Sequence, residues 1–478
     1  MRISTLIGLS LIASAYMPAR AYTVYPVPQH IELTGKHITP SSAINIVTSD
    51  HISENTLDRL KEVIADAGFS CSVSTTPADG ATDIYIGVYG SGDSADRYAA
   101  ARTFDTSIFP ARNGGYDPHI VAIDTDDDMG SILILGDDDG SAYYGCATLQ
   151  QMFEQMQSGT LATAKVEDFA HAKHRGIMEG FYGHPYSIES RLNLLDFCKR
   201  YKLNYYGYGP KSDPYHAGNW RMDYPESITD SQRNLGQMTA ADMALIAGKA
   251  QECNVNFVWI IHPSLGSYSI DLSWTDDIMK KFEHLYSLGI RHFGVSVDDM
   301  RGHPSNQGDL AAEVQKQIDL KWNTADTPAS DRVGPILFTP TTYALNYNGS
   351  SYILPTFRNI DSKIDIAFTG YDCFSNVRAS SFATMADHIG RDPIFWWNNP
   401  VNDDYDGFLY MHGLTARWTI ENEGAIQHLK GFLLNPMNQG QASKVALFSG
   451  ADYAWNPGAF DADKSWEASL AAIVKTDR

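Results

Sequence analysis

Two carboxylates stand side by side, Asp298 and Asp299, at the end of the apolar stretch FGVSVDDM. Adjacent acids can divide a reaction between them: one stays ionised and orients a polar group, while the other gives and takes a proton. Crowding raises the pKa of one member of such a pair, as a general acid needs. Along a strand, consecutive side chains point to opposite faces, so both acids can serve one site only where the strand ends and the backbone turns.

The stretch is one of eight that share its character. From His171 onward an apolar strand, a polar loop and an amphipathic helical segment recur. The expected strands are GIMEGF (176–181), LNYYGYG (203–209), NFVWII (256–261), HFGVSV (292–297), PILFTP (335–340), IDIAFT (364–369), PIFWW (393–397) and GFLLN (431–435). Between them lie segments such as SIESRLNLLDFCKRYK and DDIMKKFEHLYSLG, with one apolar face each. Eight near-continuously apolar strands alternating with helices predict an α/β fold, a (β/α)8 TIM barrel. Residues 22–170 mix short alternating strands (AINIVTS, DIYIGVY, HIVAID, ILILGD) with two helical patterns, as a small α+β domain does. The expected division is 1–21 leader, 22–170 α+β domain, 171–457 barrel and 458–478 short C-terminal helical segment.

In such a barrel the active site lies at the C-terminal ends of the strands. Those ends carry Glu179 and Gly180; Lys211 and Asp213; His262; Asp298 and Asp299; Thr339 and Tyr343; Thr369 and Asp372; Trp396, Asn398 and Asp403; and Asn435. His262 is the lone histidine among them, so no metal site is expected, and no G-x-S-x-G elbow marks a serine hydrolase. A ring of carboxylates, amides, an amine and aromatics suits a neutral, hydroxyl-rich ligand such as a sugar. With two acids present, the matching reaction is glycoside hydrolysis. Ordinary glycosidases hold their carboxyls about 5 to 9.5 Å apart across the bond, which neighbouring residues do less naturally. The pair fits substrate assistance, in which the sugar's own 2-acetamido oxygen attacks the anomeric carbon. One acid then orients the amide and its neighbour acts as acid and base.

Composition narrows the class. The 478 residues are 43% hydrophobic and carry a formal charge of −21, which argues against nucleic acid or an anionic membrane surface as partner. The first residues, MRISTLIGLSLIASAYMPARA, have a basic start, an apolar centre and a small-x-small site at Ala19–Arg20–Ala21; they predict a cleaved export signal and a periplasmic or extracellular product. Beyond them no apolar run is long enough for a transmembrane segment. Five dispersed cysteines without C-x-x-C predict neither zinc nor a disulfide framework. GSGDSA after DIYIGVY is a weak dinucleotide-type glycine pattern, read as a turn because no convincing helix follows; no cofactor is expected. The acid runs Asp124–Asp128 and Asp137–Asp139 lack the full calcium-loop pattern and are expected to be solvated turns.

RGIMEGFYGHPYS, YGYGPKSDPYH followed by NWR, VWIIHPS, VSVDDM, TPTTY, WWNNPVND, NPM and DYAWNP together resemble the family 84 glycoside hydrolases. These are β-N-acetylglucosaminidases that include O-GlcNAcases and clostridial enzymes once called hyaluronidases. The resemblance covers residues 171–457 and implies an exo-acting, retaining enzyme that removes terminal β-linked GlcNAc from glycans or glycoproteins through an oxazoline. It implies that Asp298 orients the acetamido group and that Asp299 is the general acid/base. Gly180, Lys211, Asn398, Asp403 and Asn435 would bind sugar hydroxyls, Asp403 being preferred to Asp404 by its spacing from WWN. Tyr343, Thr369 and Trp396 would line the acetamido pocket. After Thr369 the chain departs from the family's usual loop, reading GYDCF, and the last segment, KSWEASLAAIVK, leaves little of the C-terminal helical domain many members carry. The rival expectation is a secreted carbohydrate-binding protein with the same barrel and no turnover.

Overall fold

Apolar alternation organises both halves of the chain. The computed structural model describes residues 22–102, 104–109, 115–125, 129–403, 407–421 and 424–476, so the expected leader, Asp404 and part of the first acid run lie outside the described residues. The first half is a seven-stranded sheet: β1 (His30–Ile38), β2 (Ala43–Val47), β3 (Ser70–Ser74), β4 (Thr82–Val88), β5 (Tyr116–Asp124), β6 (Ser131–Gly136) and β7 (Leu161–Ala170), in the order β1-β7-β5-β6-β4-β2-β3. Pairing is parallel from β3 through β2 and β4 to β6, and antiparallel from there to β1. Helices α1 (Glu54–Asp66) and α3 (Asp139–Phe153) cover one face, and the short α2 (Ser94–Ala100) lies on the other.

Two local expectations change. A helix does follow the glycine pattern: Asp93 caps α2, and the carboxylate of Asp96 accepts from the N–H groups of Gly90 and Gly92, each at 3.0 Å. The loop's donors are therefore taken by its own side chain, which the weak helical signal of SADRYAA concealed. In the second acid run, Asp138 is the N-cap of α3 and Asp139 accepts from Ser53, so these acids terminate helices rather than decorate a turn.

The second half closes into a barrel of parallel strands: β8 (His174–Glu179), β9 (Tyr205–Tyr208), β10 (Asn256–Ile261), β11 (His292–Ser296), β12 (Leu337–Thr339), β13 (Asp365–Phe368), β14 (Ile394–Trp397) and β15 (Gly431–Leu434). Each overlaps its expected stretch. Around them run α4 (Ile188–Arg200), α5 (Asp230–Asn234), α6 (Ala240–Glu252), α7 (Trp274–Ser287), α8 (Gln307–Trp322), α9 (Ser350–Ile353), α10 (Ala379–Ile389) and α11 (Gly440–Trp455), followed by α12 (Ala462–Thr476). The fold is a (β/α)8 barrel behind a small mixed domain. No helix among the described residues is long and apolar enough to cross a membrane.

Strand periodicity sorts the barrel's side chains. Met178, Tyr205, Val258, Ile260, Leu337, Ala367, Ile394, Trp396 and Leu433 fill the interior, while their neighbours, Phe257, Trp259, Phe293, Val295, Phe395, Trp397 and Phe432 among them, pack under the helices. The two halves meet over buried charge. Lys202, in a left-handed conformation at φ 57°, reaches Asp168 of β7 at 2.8 Å and His119 of β5 at 3.3 Å, and Trp455 donates to the same aspartate at 2.8 Å. Burial, then the neighbouring ammonium, holds His119 down at about 4, so the imidazole is neutral there.

Candidate active site

The period of two that fills the barrel also builds the site. Continuing each interior row by one step, to the strand end for Thr339 and past it for the others, gives Gly180 after Met178, His262 after Ile260, Asp298 after Ser296, Thr339 after Leu337, Thr369 after Ala367, Asn398 after Trp396 and Asn435 after Leu433. All but His262 line one cavity, joined there by Tyr182, Lys211, Asp299, Tyr343, Phe368, Cys373, Phe374, Trp396, Val401 and Asp403. Every residue expected to act on or bind the sugar lies on this wall: Asp298, Asp299, Gly180, Lys211, Tyr343, Thr369, Trp396, Asn398, Asp403 and Asn435.

Asp298 is buried and surrounded by donors. Lys211 Nζ lies 3.0 and 2.9 Å from its two carboxylate oxygens, His262 Nε2 is 3.2 Å from one of them, and Ser296 Oγ donates to the same oxygen. Burial pushes this carboxyl upward, but the ammonium and the imidazole outweigh it and hold it well below the usual carboxylate range. That direction is the reverse of what crowding by a second acid produces. His262 Nε2 also lies 2.6 Å from the Asp298 carbonyl oxygen, which fixes the backbone at the point where the strand ends.

Asp299 leaves the strand by a left-handed turn, at φ 54°. Aspartate tolerates this conformation better than most residues, and it keeps the second carboxylate at the cavity rim instead of sending it toward the helices. Two phenols hold it: Tyr182 OH donates at 2.6 Å to one oxygen and Tyr343 OH at 3.2 Å to the other. Thus the neighbouring acids occupy different environments, Asp298 buried between an ammonium and an imidazole, Asp299 exposed and between two phenols.

The remaining wall is pinned. Asn435 Nδ2 donates to Asn398 Oδ1 at 2.9 Å, and Asn398 Nδ2 donates to the Cys373 carbonyl at 2.9 Å, so the GYDCF loop ties into the site. Thr369 Oγ1 donates to the Asp372 carbonyl at 2.9 Å, and Asp403 accepts from Tyr182 N at 2.8 Å. Gly180 is where the indole of Trp396 crosses the backbone: a Cβ there would lie 2.2 Å from Trp396 Cζ2. Two buried polar atoms on the wall, Trp396 Nε1 and Thr339 Oγ1, have no protein partner, which is costly unless a ligand or water meets them. The consecutive tryptophans divide, Trp396 into the barrel and Trp397 under the helices with its Nε1 on the Ser375 carbonyl at 2.9 Å.

Strand-end acids outside the cavity have other partners. Glu179 is fully buried against Arg191 of α4 at 2.6 and 2.9 Å, and Asp213 accepts from Tyr208 and Tyr224, anchoring the loop that delivers Lys211. Tyr182 and Ser296 contact the acids without having been singled out from the sequence. The signal was present for Ser296, which stands two residues before Asp298 and on the same face, but not for Tyr182, which lies beyond the end of β8. Among the described residues, ligand atoms of Asp196, Glu252 and Cys253 gather away from the cavity, and Lys249 already bonds Asp196 at 2.8 Å and Glu252 at 2.7 Å.

A family model described as beta-N-acetylglucosaminidase matches residues 175–478, and one described as glycosyl hydrolase family 20, domain 2, matches residues 21–169. The protein O-GlcNAcase of Mus musculus is 25% identical over 285 residues, which cover 57% of this chain and 29% of that protein. The Rattus norvegicus protein of the same name matches to the same extent, so the chain spans under a third of the length of these relatives. The solved structure of CpGH84D is 31% identical with a TM-score of 0.82, covering 95% of this chain and 72% of that one. That of CpGH84B, at 24% identity and a TM-score of 0.77, covers 94% of this chain and 74% of its own and bears on the fold alone.

Proposed function

Because this chain belongs to glycoside hydrolase family 84, the β-N-acetylglucosaminidases, we propose that it removes terminal β-linked GlcNAc from glycans or glycoproteins by substrate-assisted catalysis with retention. The observation that carries the proposal is the division of labour between two consecutive acids: Asp298 buried and held ionised by Lys211 and His262, Asp299 at the rim between two phenols.

In the first step the acetamido oxygen attacks the anomeric carbon, the glycosidic bond breaks, and Asp299 gives its proton to the departing oxygen. Asp298, already anionic, accepts the amide N–H and stabilises the positive charge that spreads over the oxazoline ring. In the second step Asp299, now a carboxylate, takes a proton from water as it attacks the same carbon, and two inversions give net retention. Tyr343, Thr369 and Trp396 enclose the acetamido group; Gly180, Lys211, Asn398, Asp403 and Asn435 meet the hydroxyls. Export, read from residues 1–21, belongs to the same proposal, and mass spectrometry of the mature N-terminus tests it.

The test is release of 4-nitrophenol from its β-N-acetylglucosaminide beside the matching β-glucoside, which lacks the acetamido nucleophile. Turnover of the first alone is expected, and the first sugar seen by NMR should be the β anomer. Equal turnover of both overturns substrate assistance. Saturable GlcNAc binding without turnover of either identifies a carbohydrate-binding protein instead.

A further inference from the structure

One face of α7 grips the loop that follows β9. Asp277, Lys281 and His284 stand four and then three residues apart on that helix, on one side of it, and they meet three consecutive loop residues. Asp277 accepts from Arg221 Nε at 2.7 Å, Lys281 Nζ donates to the Met222 carbonyl oxygen, and His284 Nδ1 lies 3.9 Å from Asp223. Lys281 is the buried member of the three, only 2% exposed. Its ammonium sits in a box of rings, 4.8 Å from the centre of Tyr224 and 5.3 Å from those of Tyr215 and Trp259. No carboxylate among the described residues bonds it. Burial pushes the ammonium down to about 8, against the pull of Asp213 and Asp223. A buried charge without a bonded counter-ion is costly to keep, so its presence asks for a role.

The box leads to the acid pair in a few contacts. Tyr224, whose ring is nearest the ammonium, donates its OH to Asp213 at 2.6 Å and accepts from Trp259 Nε1 at 3.0 Å. Asp213 also accepts from Tyr215 N at 2.8 Å and from Tyr208 of β9 at 2.7 Å. Two of the three ring residues therefore bond Asp213, and the third braces Tyr224. Lys211 stands two residues before Asp213, with its Nζ on both oxygens of Asp298. We infer that Lys281 is a positioning residue for hydrolysis, holding the loop after β9 through Tyr224 and Asp213 so that Lys211 stays on Asp298, an inference that rests on the function proposed above. Lys281 does not line the sugar cavity, so whatever it does for the reaction it does through this loop.

The experiment records kcat/KM against pH on 4-nitrophenyl β-N-acetylglucosaminide for the wild type, Lys281→Met, Lys281→Arg, Lys211→Met and the double variant Lys211→Met with Lys281→Met. A residue that only stabilises the fold lowers the amount of active enzyme and leaves the shape of the profile alone. One that keeps Lys211 in place alters the shape, because Asp298 becomes harder to ionise when the ammonium leaves it. Lys281→Met is expected to move the acidic limb upward by about half a unit or more, and Lys281→Arg, which keeps the charge, to leave it near its wild-type position. The double variant should lie no further up than Lys211→Met alone, since the two changes act on one contact. A lower kcat/KM with an unmoved limb, or a double variant in which the two shifts add, overturns the inference. Should Lys281→Met not fold, Tyr224→Phe carries the test, because it keeps the ring and removes the bond to Asp213; its limb should also rise, and an unmoved limb overturns the inference. Wild-type inactivity on the aryl glycoside is a different failure, which overturns the proposed activity and takes this inference with it.

Discussion

Lys211 straddles Asp298: its ammonium lies within 3.0 Å of both carboxylate oxygens, and the two side chains are only 4% and 9% exposed. Electrostatics of this kind favour the ionised acid, because an opposite charge at that distance lowers a carboxyl pKa by about 1 to 3 units.

Lys211→Met should therefore move the acidic limb of the kcat/KM profile upward by about 1 unit or more, as Asp298 becomes harder to ionise. The pH–rate profile on the aryl glycoside checks this. A lower kcat with an unmoved limb would show that Lys211 binds substrate without tuning Asp298.

The two acids should separate by leaving group. Asp299→Ala is expected to slow substrates with poor leaving groups by about 100-fold or more while sparing those whose leaving group needs no proton. Asp298→Asn should slow all substrates alike. Rates across aryl glycosides of graded leaving-group acidity give both answers, and a steeper dependence in the Asp298 variant would reverse the assignment.

Gly180→Ala tests the crossing with Trp396. A methyl placed 2.2 Å from the indole must displace it, and overpacking of this kind costs about 1 to 3 kcal/mol. Activity should fall with stability, and adding Trp396→Phe, which removes the ring that the methyl meets, should recover much of the stability in urea denaturation. No recovery would place the clash elsewhere.

Acid should weaken the fold before it reaches ordinary carboxylates. His119 and His292 are held at about 4 by burial, whereas the unfolded chain protonates them near 6.5. The unfolded state thus binds more protons between those values, and stability falls as pH drops through that window by about 1.4 kcal/mol per unit for each histidine. Asp452, pushed up to about 6 by burial, works in the opposite sense below that pH and offsets one of them. Denaturation midpoints at pH 7 and pH 5 should differ accordingly, and His119→Gln should reduce the difference. A midpoint unchanged or higher at pH 5 contradicts the assignment.

The barrel was legible because its strands are buried on both sides and stand out as apolar runs with clear ends. The site was legible for the same reason, since the residues one step beyond each interior position face the cavity. Several elements were not. Strand β1, HIELTGKHI, is mostly exposed and carries no continuous apolar signal. Helix α11 is buried from Ser443 to Trp455 and so lacks the polar face by which helices are recognised. Tyr182 follows a strand end without being its last residue, and only the closed structure brings its phenol to Asp299. The depressed pKa of Asp298 depends on Lys211 and His262, which lie far from it in sequence.

The left-handed turn at Asp299 also governs how a descendant of this chain could lose catalysis. A deletion of one residue in β11 would shift its side chains by one face, driving Asp298 toward the helices and Asp299 into the niche beside Lys211. Both roles would go at once, along with the packing of the strand. Point substitution alone can retire one acid and leave the other, together with the hydroxyl-binding wall, intact. Lineages drifting from hydrolysis toward sugar capture should therefore keep the length of this loop and change its letters.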